Sequence, residues 1–329
     1  MPEAKKTKRA LVIGCGGVAG GAWSIAVLAE LEKQMQWDAR EADILIGTSA
    51  GAVLAGLLGG GVSVSTMLAC QKGESAHCRW NHDTDTGGAL PPLPAARFTA
   101  LSLAREGLKG RVSPLTAITG LLPEGRADMA PFMALVDGVV PAGQWAPHPA
   151  TWIMVVDAAS GERVALGRDV CDMPLNRAVC ASYAVPGWCP PVSHAGHTYI
   201  DGGVASPASA DLLVGSGIDE AIVIAPMASS EPDRPRSPLA AIERRVRRYM
   251  TAIVDREVAS LEAAGIRVVR LEPGPDDLAA FGFNMMDPNR RRLVLATALR
   301  TAPGAVARAL NGAGAGIGVA RHDGQPQLA

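Results

Sequence analysis

Two stretches of this chain carry no charge, Ala10 to Ala29 and Ile44 to Cys70. Each reaches the roughly 20 residues that a membrane-crossing helix needs. Neither reads as one, because glycines interrupt both: Gly14, Gly16, Gly17, Gly20 and Gly21 in the first, Gly47, Gly51 and Gly59 to Gly61 in the second. Such clusters break helices and make loops whose backbone cannot face lipid. A charge-free run with turns inside it fits a buried parallel strand, a tight loop and a crossover helix. The same glycines deny the first run the apolar helix of a signal peptide. The expectation is a cytoplasmic chain with no signal peptide and no transmembrane helix.

The apolar run Arg9 to Ile13 ends in glycines and reads as a strand, and Ala22 to Met35 has helical periodicity. Asp43 to Ile46 reads as a second strand that runs into Gly47-Thr48-Ser49-Ala50-Gly51 and a small-residue helix ending near Gly59. Strand, helix, strand and helix at this spacing form a βαβ unit, so a parallel sheet is expected. Further strands are expected at 151–156, 198–200, 221–225 and 266–271. The 329 residues, 48% hydrophobic and 19% charged, suit one large α/β domain over 8–312, with a loose tail at 313–329. Residues 65–145 are rich in Pro and Gly, contain His77, Trp80 and His82, and read as a lid-like insertion over one face of the sheet. A long helix is expected over 237–264, with Leu239, Ile242, Val246, Met250, Ile253, Val258 and Leu261 as its core stripe and Arg244, Arg245, Arg247 and Arg248 largely off it. That cationic run, with Lys5, Lys6, Lys8 and Arg9, is a candidate contact for an anionic membrane surface. A net charge of -1 argues against a nucleic-acid partner. The six cysteines form no CxxC pair and read as reduced thiols.

Three motifs carry the chemistry. Gly47 to Gly51 is G-x-S-x-G between a strand and a helix, the context of a nucleophile elbow, with Ser49 at its apex. Gly14-Cys15-Gly16-Gly17-Val18-Ala19-Gly20 follows the preceding strand. A dinucleotide loop there would need a carboxylate ending the next strand, where Gly47-Thr48-Ser49 stands instead. A loop of converging amides for an oxyanion explains both motifs at one sheet edge. The third motif, Tyr199-Ile200-Asp201-Gly202-Gly203, ends an apolar strand in a carboxylate, and Asp201 reaches the edge of Ser49 if that strand is parallel. No metal-ligand spacing is present, and neither His194 nor His197 has ligands beside it.

With these motifs in this order, the chain resembles the patatin-like phospholipase family over about Ala10 to Leu310. Ala181-Ser182-Tyr183-Ala184-Val185-Pro186 also looks like the family's segment before the Asp strand. The resemblance implies a three-layer α/β fold with a mostly parallel central sheet flanked by helices. It implies a Ser49-Asp201 dyad acting through an acyl-enzyme, an oxyanion hole at Gly16, Gly17 and Val18, lipid acyl esters as substrates, and no cofactor or metal. Gly14, Gly20, Gly47, Gly51, Gly202 and Gly203 would be the motif glycines. One departure is clear, since the family's loop cation is replaced by Ala19 or Gly20. Two alternatives stay open at this stage: a Ser-His-Asp esterase with His322 as base, and a nucleotide-binding or silent module.

Overall fold

The first charge-free stretch folds as β1 (Arg9–Ile13), a glycine turn and α1 (Gly17–Met35). The second folds as β2 (Ile44–Thr48), a one-residue elbow, α2 (Ala50–Gly59) and α3 (Val64–Lys72). The computed structural model describes residues 6–74, 88–231, 233–235 and 237–315. The chain continues through α4 (Leu101–Leu108), α5 (Pro114–Thr119) and α6 (Ala130–Asp137) to β3 (Thr151–Asp157) and β4 (Arg163–Leu166). Then come α7 (Leu175–Ser182), β5 (Val192–His194), β6 (His197–Asp201) and β7 (Glu220–Ile224). The last elements are α8 (Pro238–Ala263), β8 (Arg267–Leu271), α9 (Pro275–Phe281) and α10 (Arg291–Ala315).

Five strands, β3, β2, β1, β7 and β8, lie side by side and parallel, as the βαβ reading requires. The antiparallel β4, β5 and β6 extend the sheet beside β3. Alternation along each strand sends side chains to two separate cores. Leu11, Ile13, Leu45, Ile153, Val155 and Ile222 pack under α1, α2, α7 and α10. Ala10, Val12, Ile46, Met154 and Val223 face α8, whose Val254 and Leu261 complete that layer. Each such buried Leu or Ile contributes about 1.5–3 kcal/mol. The result is three layers with the central sheet inside.

Three sequence expectations change here. The insertion does not cover one face: α4 packs Leu103 on Val156, Ile200 and Val204, whereas α6 joins α2 and α7 in the opposite layer. Phe132 and Val136 put α6 in that core, while the Thr116 hydroxyl of α5 donates to the Val204 carbonyl at 2.9 Å. His77, Cys78, Trp80 and His82 lie outside the described residues, as does His322. The last helix runs to Ala315, into the stretch expected to be a loose tail from residue 313. By length and composition 288–313 could cross a bilayer, yet here it lies along α1 and β8 with Ala298, Ala302 and Val306 buried.

The third change concerns α8. Glu243, Arg244, Arg247, Thr251 and Glu257 are buried together with Val254 and Leu261. Leu239 and Ile242, expected in the core, point outward. The reason is the backbone packed against this helix. Pro226 follows β7, Gly282 follows α9 and Leu278 lies in its last turns, and arginine guanidinium groups donate to the carbonyls of all three.

Candidate active site

Ser49 and Asp201 are separated by 152 positions in sequence, and the pairing of β3 brings them together. Met154 pairs with Thr48 of β2 on one side and Ala165 of β4 on the other. The next residue, Val155, pairs with Asp201 of β6 and Val164 of β4. A strand has only two edges, so β2 and β6 occupy the same edge of β3. Since β2 runs with β3 and β6 runs against it, their C-terminal ends meet head-on. The sequence reading brought Asp201 to this edge through a parallel strand. The strand is antiparallel, and the encounter comes from β6 taking over β3 where β2 leaves it.

At the end of β2, Ser49 adopts φ 57° and ψ −119°, a left-handed conformation costly for a residue with a Cβ. The elbow is held by a relay. The Ser49 amide donates to the Ser182 hydroxyl at 2.8 Å, and that hydroxyl donates to the Met154 carbonyl at 2.6 Å. Ser182, at the end of α7, thus fills the gap between β2 and β6, and the Asp201 amide donates to the Ala184 carbonyl at 3.1 Å.

The Asp201 carboxylate accepts from the Gly203 amide at 2.7 Å, and the Ser49 hydroxyl lies beside it as a second donor toward its charge. It is 4% exposed, and Ser49 is 3% exposed. Burial penalises the carboxylate, and these two donors offset only part of that penalty, so its pKa is pushed up to about 7. A side chain on Gly202 would meet the Met154 carbonyl at 2.5 Å, which is why the carboxylate is followed by residues without one. Cys15 lies against this turn, and burial, with the Asp201 charge, holds its thiol well above the usual range and protonated.

The glycine loop ends β1, the neighbour of β2, in register with the elbow: Ile13 pairs with Gly47. The amides of Gly14 and Cys15 donate to Ile224 and Pro207 carbonyls, both at 2.8 Å, and that of Ala19 to Met285 at 3.0 Å. Among the described residues, the amides of Gly16, Gly17 and Val18 meet no acceptor. They open the N-terminus of α1, where donors are unpaired and the helix dipole is positive. Gly17 has φ +57°, and a Cβ there would sit 2.7 Å from the Met285 carbonyl. A substitution would therefore both strain the loop and displace it.

The motif readings did not include the support that α8 supplies. Arg247 is 2% exposed, pairs with Glu243 at 2.7 Å and donates to the Pro226 carbonyl. The Pro226 ring packs against Gly16 and Gly20, so a buried cation stands behind the loop that lacks one of its own. Thr251 accepts from the Ser229 amide at 3.0 Å. Glu257 accepts from the Ser206 hydroxyl, and from the Ala210 amide at 3.0 Å. This braces the turn that runs from Asp201 to Pro207, the partner of Cys15. Burial pushes the Glu257 carboxyl up to about 7. The i, i+4 spacing of Glu243, Arg247 and Thr251 was the sequence signal for this face. Because Glu257 acts through backbone, Glu257→Ala should lower kcat roughly tenfold or more with KM nearly unchanged, leaving two buried donors unpaired. Steady-state kinetics well below the melting temperature checks this; a change confined to stability would contradict it.

The three described histidines bond elsewhere. His197 holds Asp157 at 2.7 Å, His194 approaches Asp172 at 3.1 Å, and His148 bonds the Ala42 carbonyl at 2.7 Å. Cys15, Cys171, Cys180 and Cys189 are free thiols.

Fold and site together define an α/β protein built around a strained serine at a strand-helix elbow. The chain belongs to the patatin-like phospholipase family, whose model matches residues 11–214. It is accordingly a hydrolase of lipid acyl esters. No curated protein sequence matches it. Among solved structures it is similar to VipD from Legionella pneumophila, with 14% identity and a TM-score of 0.43, over 94% of this chain and 67% of VipD. It is also similar to the type III effector protein ExoU, with 15% identity and a TM-score of 0.36, over 92% of this chain. This chain spans 53% of that ExoU chain, about half its length.

Proposed function

We propose that this chain cleaves the acyl ester of a glycerolipid (phospholipid, lysophospholipid or acylglycerol) through a Ser49-Asp201 dyad. The observation that carries the reading is the head-on meeting of β2 and β6, which sets the strained Ser49 beside the buried Asp201 carboxylate. Ser49 Oγ attacks the ester carbonyl while Asp201 takes its proton. The tetrahedral oxyanion forms against the Gly16, Gly17 and Val18 amides, each such donor supplying about 3 kcal/mol. Collapse expels the alcohol, which takes the proton back from Asp201. A water molecule then attacks the acyl-enzyme, with Asp201 again as base; collapse breaks the bond to Ser49 Oγ, which takes the proton back from Asp201, and the freed acid leaves.

A carboxylate of ordinary pKa is a feeble base toward an alcohol, and one poised at about 7 is far better matched. Below that value Asp201 is protonated and cannot accept. Hence kcat/KM for a soluble short-chain ester should rise with pH and level off above a midpoint near 7. A fluorophosphonate probe should label the Ser49 peptide with the same pH dependence. Labelling at another residue, or a flat profile from pH 5 to 9, would overturn the dyad.

A further inference from the structure

Among the described residues the outward side of α8 has no partner, and its place in the fold says what should cover it. β7 and β8 run parallel to β1 and β2, so the first turns of α8 and the whole of α9 lie at the sheet edge that carries Ser49. Leu239 and Ile242 are 54% and 60% exposed there. Arg244 reaches from beside them to the Leu278 and Gly282 carbonyls, at 2.7 and 3.3 Å, next to Phe283, which is 53% exposed. Asn284 donates to the Ala89 carbonyl at 2.7 Å, which brings in Leu90 and then Leu93, 79% and 87% exposed. The following residue, Met285, holds the Ala19 amide of the glycine loop. A line of exposed apolar side chains therefore borders the candidate active site.

The exposed charges beside that line that form no ion pair among the described residues are cationic. Asp233, Glu243, Arg244 and Arg247 pair among themselves in the interior. Arg234, Arg245 and Arg248 are exposed and form no ion pair among the described residues, and exposed Glu231 faces Arg308 at 4.0 Å. Apolar tips set among arginines are the pattern that enters the interface of an anionic bilayer.

We propose that this edge, built on Leu239, Ile242 and Phe283 with Arg245 and Arg248, docks on an anionic lipid surface and brings the mouth of the Ser49 site to it. The proposal rests on the lipid-hydrolase reading for its choice of partner, but binding can be measured without catalysis. The protein, and separately its Ser49→Ala variant, is sedimented with vesicles of phosphatidylglycerol and phosphatidylcholine, and with phosphatidylcholine alone. Both proteins should pellet with the anionic vesicles and be released by high salt. The double substitution Leu239→Ser with Ile242→Ser, and the charge reversal Arg245→Glu with Arg248→Glu, should each weaken that binding roughly tenfold. Both variants should hydrolyse a soluble short-chain ester as the parent does, which shows that they are folded. Absence of binding to anionic vesicles, or variants that pellet like the parent, would sink the proposal. A dimer in solution that Leu239→Ser breaks would also sink it, because the face would then serve a second copy of the chain. If Ser49→Ala retained ester hydrolysis while vesicle binding held, the dyad would fail and the docking surface would stand.

Discussion

Asp201→Asn is expected to lose catalysis and gain stability together. The amide keeps an oxygen for the Gly203 amide and the Ser49 hydroxyl, so the elbow geometry survives. It cannot take a proton, and loss of a general base in this position costs about 10^3- to 10^4-fold in kcat. The stability gain follows from linkage. Asp201 ionises at about 7 in the fold against 3.8 for an unperturbed carboxyl. Between those values the folded chain holds a proton that the unfolded chain releases. Its contribution to stability is thus fully present below the unfolded pKa, falls as pH rises, and is lost above about 7. A shift of this size corresponds to at most about 4 kcal/mol at pH 8. Asn never ionises, so the variant should melt higher than the parent at pH 8 and gain little at pH 4. Calorimetry at the two pH values, beside the kinetics, separates this from a turn-forming role, in which the substitution destabilises at both. Ser49→Ala should show a comparable loss of activity, with the fall in stability moved to higher pH because the carboxylate loses a donor.

Gly51→Ala is expected to prevent folding. The added Cβ would lie 1.9 Å from the Ile13 carbonyl oxygen and 2.8 Å from that of Gly14, and neither is a flexible side chain that could move aside. Relief requires α2 to part from β1, at the point where Ile13 pairs with Gly47. A cost above about 4 kcal/mol follows, which approaches the whole stability of many domains. Gly21→Ala is the matched control, because its Cβ would meet only Ala50 Cβ at 3.7 Å and a helical alanine is favoured over glycine. Far-UV circular dichroism and soluble yield should show the first variant unfolded and the second folded as the parent. Equal behaviour of the two would refute the close-approach argument.

Much of the site was readable in the chain because its requirements are local. A serine at an elbow needs small residues two positions away, an oxyanion loop needs successive amides free of side chains, and a buried carboxylate needs clearance behind it. Spacing within seven residues records all of these. The parallel strands were equally legible, since each is a short run of mostly apolar residues. The short strands β4 and β5 were not, because three or four residues carry no period and their pairing depends on β3. Helix α8 shows a subtler failure. Its pattern does display two faces, but which one turns inward depends on what the neighbouring backbone lacks. Here the Pro226 and Leu278 carbonyls drew Arg244 and Arg247 inside and left Leu239 and Ile242 at the surface.

The residues alone determined that the chain would build glycine-turned strand-helix units with a serine, a row of amides and a carboxylate at strand ends, since those demands are written in neighbouring positions. Only the tertiary structure decided that Asp201 reaches Ser49 by an antiparallel strand sharing one edge of β3. It alone also decided that a helix beyond the matched family region supports both loops from behind. Contacts between segments so far apart depend on how strand edges and backbone carbonyls are shared out, and that allocation exists only once the whole sheet has formed.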